Sequence, residues 1–360
     1  MHATLSGDVV RAGERARERF YDSSGYGHPV DSGSLELAPV EAAHLLYRGD
    51  LDAVEGPDGA AMDFRAFLSS AAVSEIAFLV YKDLRDRGFY LSPARAGWSD
   101  SSAARAAVDD PAVDFVVYPR GSGPWDDEVA YRVGVVSERE AVPASGLGDL
   151  VLAVVDEEGA LTYLQTEHRE VSGTSEADLP TGVSGELLSD RSLLWDPPAA
   201  IYDLGFYGQP LDDRDGDVIQ LSLLEASYLA REGVLDVEGG VAAVVERGRE
   251  VEGERFDRRL RVYESLRERG LVPKTGYKFG ADFRTYSDVQ SVDDLGHSEL
   301  LIRVLAGDHT FSPRDLALDV RLAHGVRKTM AFALVGDEDD TADTDDSDGI
   351  EWLSVTRLTP

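Results

Sequence analysis

Three segments in the last third of the chain each carry a residue type that moves a proton or meets negative charge. They are Gly276-Tyr-Lys-Phe-Gly-Ala-Asp-Phe-Arg-Thr-Tyr286, Gly296-His-Ser-Glu-Leu-Leu-Ile-Arg-Val304 and Val320-Arg-Leu-Ala-His-Gly-Val-Arg-Lys-Thr-Met-Ala-Phe332. Histidine, with an unperturbed pKa near 6.5, can protonate a leaving group around neutrality. Lysine is a compact positive charge that suits a developing negative one. Tyrosine is a harder choice of base, because at a pKa of about 10 only about one in a thousand is ionised at pH 7. Neighbouring cations lower that pKa. The residues singled out are Tyr286, His297 and Lys328. Each also has an ordinary explanation. A lone tyrosine usually lays its ring on a core edge. A lone histidine before a strand is a surface or capping residue roughly nine times in ten, and His309 and His324 are read in that way. A lysine at a helix end is favoured by the helix dipole. Against that, only four lysines occur among 35 basic residues, namely Lys82, Lys274, Lys278 and Lys328. Where arginine is the default base, a lysine kept between a helix stop and a strand start carries weight.

Regular elements must hold these residues. Phe256, Leu260, Tyr263 and Leu266 follow helical spacing, and Gly270 supplies a C-terminal stop. Asp282 to Tyr286 reads as a short strand and Leu300 to Leu305 as a buried one. Ser312-Pro313 opens a helix with apolar positions at Leu316, Val320 and Ala323, ended by Gly325. Thr329 to Val335 and Glu351 to Leu358 read as further strands. Together they predict an α/β module of about 100 residues on a small sheet. The segment Gly336 to Gly349 is nearly all Asp, Glu, Thr and Ser, so it reads as a solvated loop. Its acids do not follow the EF-hand spacing.

The 360 residues are enough for two to four domains, and the hydrophobic fraction of 43% is ordinary for a globular protein. No apolar run is long enough to span a membrane, and the charged start, Met1 to Arg19, does not read as a secretory signal. Cysteine is absent, which excludes disulfides and thiolate chemistry and fits a cytoplasmic protein. Asp and Glu number 68, for a net charge of −33, and are spread along the whole chain. Such a surface suits concentrated salt, which screens its self-repulsion. A nucleic-acid partner is still allowed, provided that its site is a local basic patch.

The chain also repeats itself. Leu5-Ser-Gly-Asp-Val-Val10 returns as Val183-Ser-Gly-Glu-Leu-Leu188, and Phe20-Tyr-Asp-Ser-Ser-Gly-Tyr-Gly-His-Pro-Val30 as Ile201-Tyr-Asp-Leu-Gly-Phe-Tyr-Gly-Gln-Pro-Leu211. Leu35 to Ala43 returns as Ile219 to Ser227, and Val80 to Gly88 as Val262 to Gly270. Matches in one order at one offset indicate a duplicated unit. The predicted fold class is therefore mixed α/β, a tandem duplication. Residues 1–75 form a small mixed N-terminal domain and 76–168 a degenerate nuclease-like domain. Residues 169–181 form a Ser/Gly/Glu-rich linker, 182–252 the second N-terminal domain, and 253–360 the catalytic domain, each nuclease-like domain having a central mixed sheet.

The three segments resemble the motifs of the archaeal tRNA-splicing endonucleases, most closely over roughly the last 110 residues and, through the repeat, more weakly over the whole chain. That resemblance implies Tyr286, His297 and Lys328 as the catalytic set, with the tyrosine as base, the histidine as acid and no metal or other cofactor. It implies a precursor tRNA with a bulge-helix-bulge as substrate, and 2′,3′-cyclic phosphate and 5′-hydroxyl ends as products. An arginine pair that stacks on a flipped base falls on Arg321 and Arg357. An acidic loop that docks on a catalytic neighbour falls on Asp156, Glu157 and Glu158, implying a homodimer. In the first copy Asp114-Phe-Val-Val-Tyr118 keeps the tyrosine, Asp126 or a neighbour within Pro124 to Glu128 stands opposite His297, and no base replaces Lys328. Two rival readings remain open. One is a non-catalytic RNA-binding or assembly subunit. The other is a metal-dependent nuclease using carboxylates such as Asp282 and Glu299, although no acid-x-lysine motif accompanies them.

Overall fold

The computed structural model describes residues 1–13, 15–98, 105, 110–212, 215–336 and 349–360, with only the backbone at 215–217. Nearly all of the acidic segment 336–349 therefore lies outside the described residues.

A ten-stranded mixed sheet runs through both copies. The first copy supplies β1 (Leu91–Pro93), β2 (Phe115–Val117), β3 (Tyr131–Ser137), β4 (Leu150–Val155) and β5 (Leu161–His168). The second supplies β6 (Val272–Thr275), β7 (Phe283–Tyr286), β8 (Leu300–Ala306), β9 (Thr329–Val335) and β10 (Ile350–Leu358). The order is β6-β7-β8-β9-β10-β5-β4-β3-β2-β1, so corresponding strands lie at equal distances from the β10/β5 seam. The seam is antiparallel, with Thr166 opposite Val355 and His168 opposite Leu353. Within each half the middle pair is parallel, β3 with β4 and β8 with β9. A second antiparallel link joins Val142–Pro143 to Thr310–Phe311. The small sheet expected from the sequence is thus one half of a larger one. An apolar last strand needs a partner along its edge, and here each copy supplies it to the other.

Five helices matter for the site: α1 (Pro39–Arg48), α2 (Glu75–Asp86), α3 (Leu223–Arg231), α4 (Arg255–Glu268) and α5 (Pro313–Gly325). The predicted stripe of α4 (Phe256, Leu260, Tyr263 and Leu266) is buried in one cluster with Phe283, Leu300 and Ile302. On the opposite face Leu316, Val320 and Ala323 of α5 are buried with Leu301, Met330, Phe332 and Leu353. Side chains of this size contribute roughly 1.5–3 kcal/mol each on full burial. The first copy has only the short 3-10 turn Ala144–Gly146 between β3 and β4, where the second has α5.

A smaller sheet precedes the large one in each copy, six-stranded around His2–Ser6 and five-stranded around Arg191–Trp195. The duplication extends to interior contacts. The Arg85 guanidinium of α2 lies 3.8 Å from the Tyr26 ring centroid, and the matching Arg267 of α4 lies 3.9 Å from that of Tyr207. Residues 170–180 form neither helix nor strand and are strapped to the second copy. Gly173 N–H donates to Arg269 O at 2.8 Å and Thr174 N–H to Ser287 O at 2.7 Å. A Cβ on Gly173 would sit 2.3 Å from Gly270 O, so this close approach requires glycine.

Candidate active site

Strand pairing gathers the three motif residues. Tyr286 closes β7 opposite Val272. Glu299 N–H donates to Thr285 O at 3.1 Å, and Thr329 N–H donates to Glu299 O at 3.1 Å. The segment His297-Ser298-Glu299 is thereby stitched between the end of β7 and the start of β9. Because β7 runs antiparallel to β8 while β8 and β9 run parallel, the C-terminus of β7 and the N-termini of β8 and β9 lie side by side. Tyr286, His297 and Lys328 sit at those ends.

Two of the three also share a face. Directly paired residues project to one side of a sheet, as do residues two apart along a strand. Arg284 pairs with Leu301, Leu301 with Met330, and Met330 with Val355. Leu301, Met330 and Val355 are buried on the α5 side. Arg284 and Tyr286 therefore project to that side, as does Lys328, two residues before Met330. Arg357, two after Val355, lies opposite Lys328 if the β9/β10 register is continued. Arg321 is exposed on α5, near the end of the helix that leads to Lys328. Among the described residues the side chains of Arg321 and Arg357 make no hydrogen bond or ion pair.

Lys328 is half-buried. Its ammonium donates to the carbonyl of Ser298 and, at 2.5 Å, to its hydroxyl. Burial, and then the positive charge of Arg284, hold its pKa below the usual lysine value. His297 is exposed beside the buried Ser298. Tyr286 is largely buried, with its ring 5.7 Å from that of Phe206 at an interplanar angle of 62°.

Three residues near this edge were not singled out from the sequence. Arg284 places its guanidinium 5.6 Å from the Tyr286 ring centroid, and among the described residues its buried Nε has no hydrogen-bond partner. It pushes the pKa of both Lys274 and Lys328 down, after burial in each case. Lys274 donates to Phe206 O at 3.1 Å, Gly208 O at 2.9 Å and Glu225 Oε1 at 2.8 Å. Burial alone would raise the pKa of Glu225, but Lys274 and backbone donors outweigh it and bring it to about 2. The scarcity of lysine that marks Lys328 applies equally to Lys274 and was the available signal; Phe206 had none.

Asp282 is bound to the scaffold. It pairs with Arg255 and with Arg259 at 3.0 Å, and accepts from Val304 N–H at 2.9 Å. Glu299 accepts from Ser287 Oγ at 3.2 Å. Among the described residues no group of three or more His, Asp or Glu side chains is arranged to hold a metal ion.

The first copy is built differently at each matching place. Its register sets Gly148 where Lys328 stands and Glu128 where His297 stands, the latter within the stretch expected from the sequence. Asp126 instead accepts from Gly123 N–H at 2.9 Å and closes its own turn. Tyr118 is fully buried, donates to Ser92 Oγ at 3.1 Å, and has its pKa raised by burial. Asp156, Glu157 and Glu158 form the turn between β4 and β5. Asp156 Oδ1 accepts from Glu158 N–H at 2.9 Å and Ala160 N–H at 2.8 Å, while Glu157 pairs with Arg139.

The model of the tRNA intron endonuclease catalytic C-terminal domain matches residues 256–345, and that of the family's N-terminal domain matches twice, at 1–68 and 183–246. The chain belongs to the tRNA intron endonuclease family. Membership makes it an enzyme, an endonuclease of tRNA splicing. It is similar to the tRNA-splicing endonuclease of Haloarcula marismortui, 64% identical over the whole of both chains. It is also similar to those of Natronomonas pharaonis, 59% identical over the whole of both, and Methanosarcina mazei, 37% identical over 98% of each. Among the described residues no helix is long and apolar enough to cross a membrane.

Proposed function

We propose that the chain excises introns from precursor tRNA at bulge-helix-bulge sites without a metal ion. The observation that carries this reading is the convergence of Tyr286, His297 and Lys328 on three adjacent strand ends. Tyr286, as phenolate, takes the proton of the ribose 2′-hydroxyl. The 2′-oxygen bonds to phosphorus, the bond from phosphorus to the 5′-oxygen breaks, and His297 gives that oxygen a proton. The ends are a 2′,3′-cyclic phosphate and a 5′-hydroxyl. Lys328 meets the charge on the phosphate oxygens. Arg284, on the same face as Tyr286 and without an acidic partner among the described residues, adds to the positive field there. Arg321 and Arg357, unpaired and near the same edge, stack on a bulge base.

In this reading the first copy is a scaffold and two chains pair, so that two sites meet the two scissile bonds of a roughly two-fold substrate. The loop Asp156 to Glu158 docks on the partner's second copy. Arg303 pairs with Asp319 within its own chain, whereas Arg327 is exposed and better placed to receive an acid. The test is incubation with an intron-containing tRNA in high salt with EDTA, followed by identification of the ends. Cleavage to cyclic phosphate and 5′-hydroxyl is expected. Loss of cleavage that returns with added divalent cation would overturn the metal-free mechanism, and binding without cleavage would overturn the catalytic reading.

A further inference from the structure

The two copies fold the same turn with different residues. Gly25-Tyr26-Gly27 in the first corresponds to Phe206-Tyr207-Gly208 in the second. The backbone is left-handed at the first position of both, with φ 63° at Gly25 and 52° at Phe206. Glycine adopts that conformation without strain; phenylalanine does not. A strained non-glycine residue persists where the surroundings over-determine it, and such residues cluster at functional sites. Here those surroundings are visible. Lys274 donates to Phe206 O at 3.1 Å and holds its ammonium 4.8 Å from the centroid of the Phe206 ring. Glu225 fixes Lys274 at 2.8 Å and accepts from Gly208 N–H at 2.9 Å. The ring so held meets Tyr286 edge to face, with centroids 5.7 Å apart.

The first copy keeps the left-handed turn and the carboxylate bonded to it, but has neither the phenylalanine nor the lysine. Glu41 accepts from Gly27 N–H at 2.8 Å and Ala38 N–H at 2.9 Å. Ser92 stands at the register position of Lys274, opposite Val116 as Lys274 is opposite Arg284. The Ser92 hydroxyl instead takes the hydroxyl of Tyr118 as donor at 3.1 Å. The departures coincide with the copy that lacks counterparts of His297 and Lys328.

We infer that Phe206 and Lys274 are positioning residues: Lys274 locks the left-handed turn, and the Phe206 ring fixes the ring of Tyr286 in the orientation that cleavage needs. This rests on Tyr286 being the base. A fixed ring matters because misplacement by about an ångström costs a reacting group roughly 10²-fold in rate. Phe206 is buried and the Lys274 side chain nearly so, so RNA affinity is expected to stay the same.

The test is single-turnover cleavage of a precursor tRNA, alongside the dissociation constant for the same RNA with a 2′-deoxy residue at each scissile bond. The full chain is used in high salt. Phe206→Leu keeps apolar bulk and removes the ring; cleavage should fall roughly 10- to 100-fold at unchanged affinity. Phe206→Tyr keeps the ring and should cleave like wild type. Lys274→Arg should retain most activity, and Lys274→Met should fall with Phe206→Leu. A Phe206→Leu variant that cleaves at the wild-type rate, or loses affinity and rate together, overturns the inference. Tyr286→Phe separates it from the reading beneath it. If Tyr286→Phe is inactive while Phe206→Leu is normal, only the positioning role falls; if Tyr286→Phe is normal, the base assignment falls and takes the positioning role with it.

Discussion

The ammonium of Lys328 is held by both the carbonyl and the hydroxyl of Ser298, the residue that follows His297. The proposed acid and the proposed phosphate cation are therefore joined through one buried serine. His297 itself is exposed and takes no part in that anchor. Replacing His297 by Ala should remove the general acid with a loss of roughly 10²–10⁴-fold in single-turnover cleavage. The anchor stays, so binding of precursor tRNA should not change. Cleavage at the wild-type rate would remove His297 from the mechanism.

Gly148 and Glu128 occupy the first-copy positions of Lys328 and His297. Tyr118→Phe should accordingly leave cleavage nearly intact, while Tyr286→Phe should abolish most of it. Both variants are compared at saturating enzyme. Equal losses would make the first copy a second active site.

Arg284 sets a positive charge beside Tyr286 with, among the described residues, no hydrogen bond at its buried Nε. Arg284→Met keeps the aliphatic packing and removes the charge. Cleavage should fall by roughly 10²-fold, the scale seen when one donor to a charged transition state is lost. Lys328 should also titrate at higher pH, because one cause of its lowered pKa is gone. An unchanged rate would confine Arg284 to packing.

The two buried glutamates predict opposite pH dependences of stability. Burial without a cation partner raises Glu41 from 4.5 to about 7, so its contribution is fully present below about pH 4.5 and is lost as pH rises through 7. Lys274 outweighs burial at Glu225, whose pKa falls from 4.5 to about 2; its contribution is present above about pH 4.5 and lost as pH falls toward 2. A shift of that size corresponds to roughly 3 kcal/mol. Glu225→Gln should therefore lower Tm strongly at pH 7, with a gap from wild type that closes in acid. Glu41→Gln should gain on wild type as pH rises from about 4.5 through 7, with the difference levelling off above 7. Thermal melts in high salt from pH 3 to 8.5 check both signs, and parallel curves for the two variants would contradict them.

The turn from Asp156 to Glu158 gives the test of assembly. Asp156 holds its own turn and Glu157 pairs with Arg139, while among the described residues the Glu158 side chain has no hydrogen bond or ion pair. Neutralising the three as Asn, Gln and Gln should weaken the dimer and cleavage in parallel. Salt favours pairing of two chains that each carry −33, so sedimentation is run at high salt. A variant as dimeric and as active as wild type would take the loop out of the interface.

Much of this was readable in the sequence because it is local. The helical stripe from Phe256 to Leu266, the Ser312-Pro313 opening of α5 and the apolar runs of β8 and β9 are all found where period and punctuation put them. The spaced motifs also lead to residues that the strand ends bring together. What was hidden is non-local. Glu351 to Leu358 reads as a strand, but nothing in the sequence names Leu161–His168 as its partner, so the join between the copies was not visible. Phe206 looks like any aromatic residue in a turn until its positive φ and its contact with Tyr286 are known. Arg284 stood inside a quoted motif, but its lack of an acidic partner depends on what lies across the strand.

The seam between β5 and β10 has a kinetic consequence. In separate chains such an edge would assemble by collision and come apart on dilution. Within one polypeptide the second strand is already tethered, so the edge forms by an intramolecular step that dilution does not weaken. The first copy is then supplied in fixed one-to-one stoichiometry and cannot be lost by dilution. If the first copy is the scaffold proposed above, its sequence is free to drift elsewhere, provided that Leu161–His168 still offers β10 an edge. Substitutions in that strand, remote from Tyr286 in the chain, should then be felt in cleavage by the second copy.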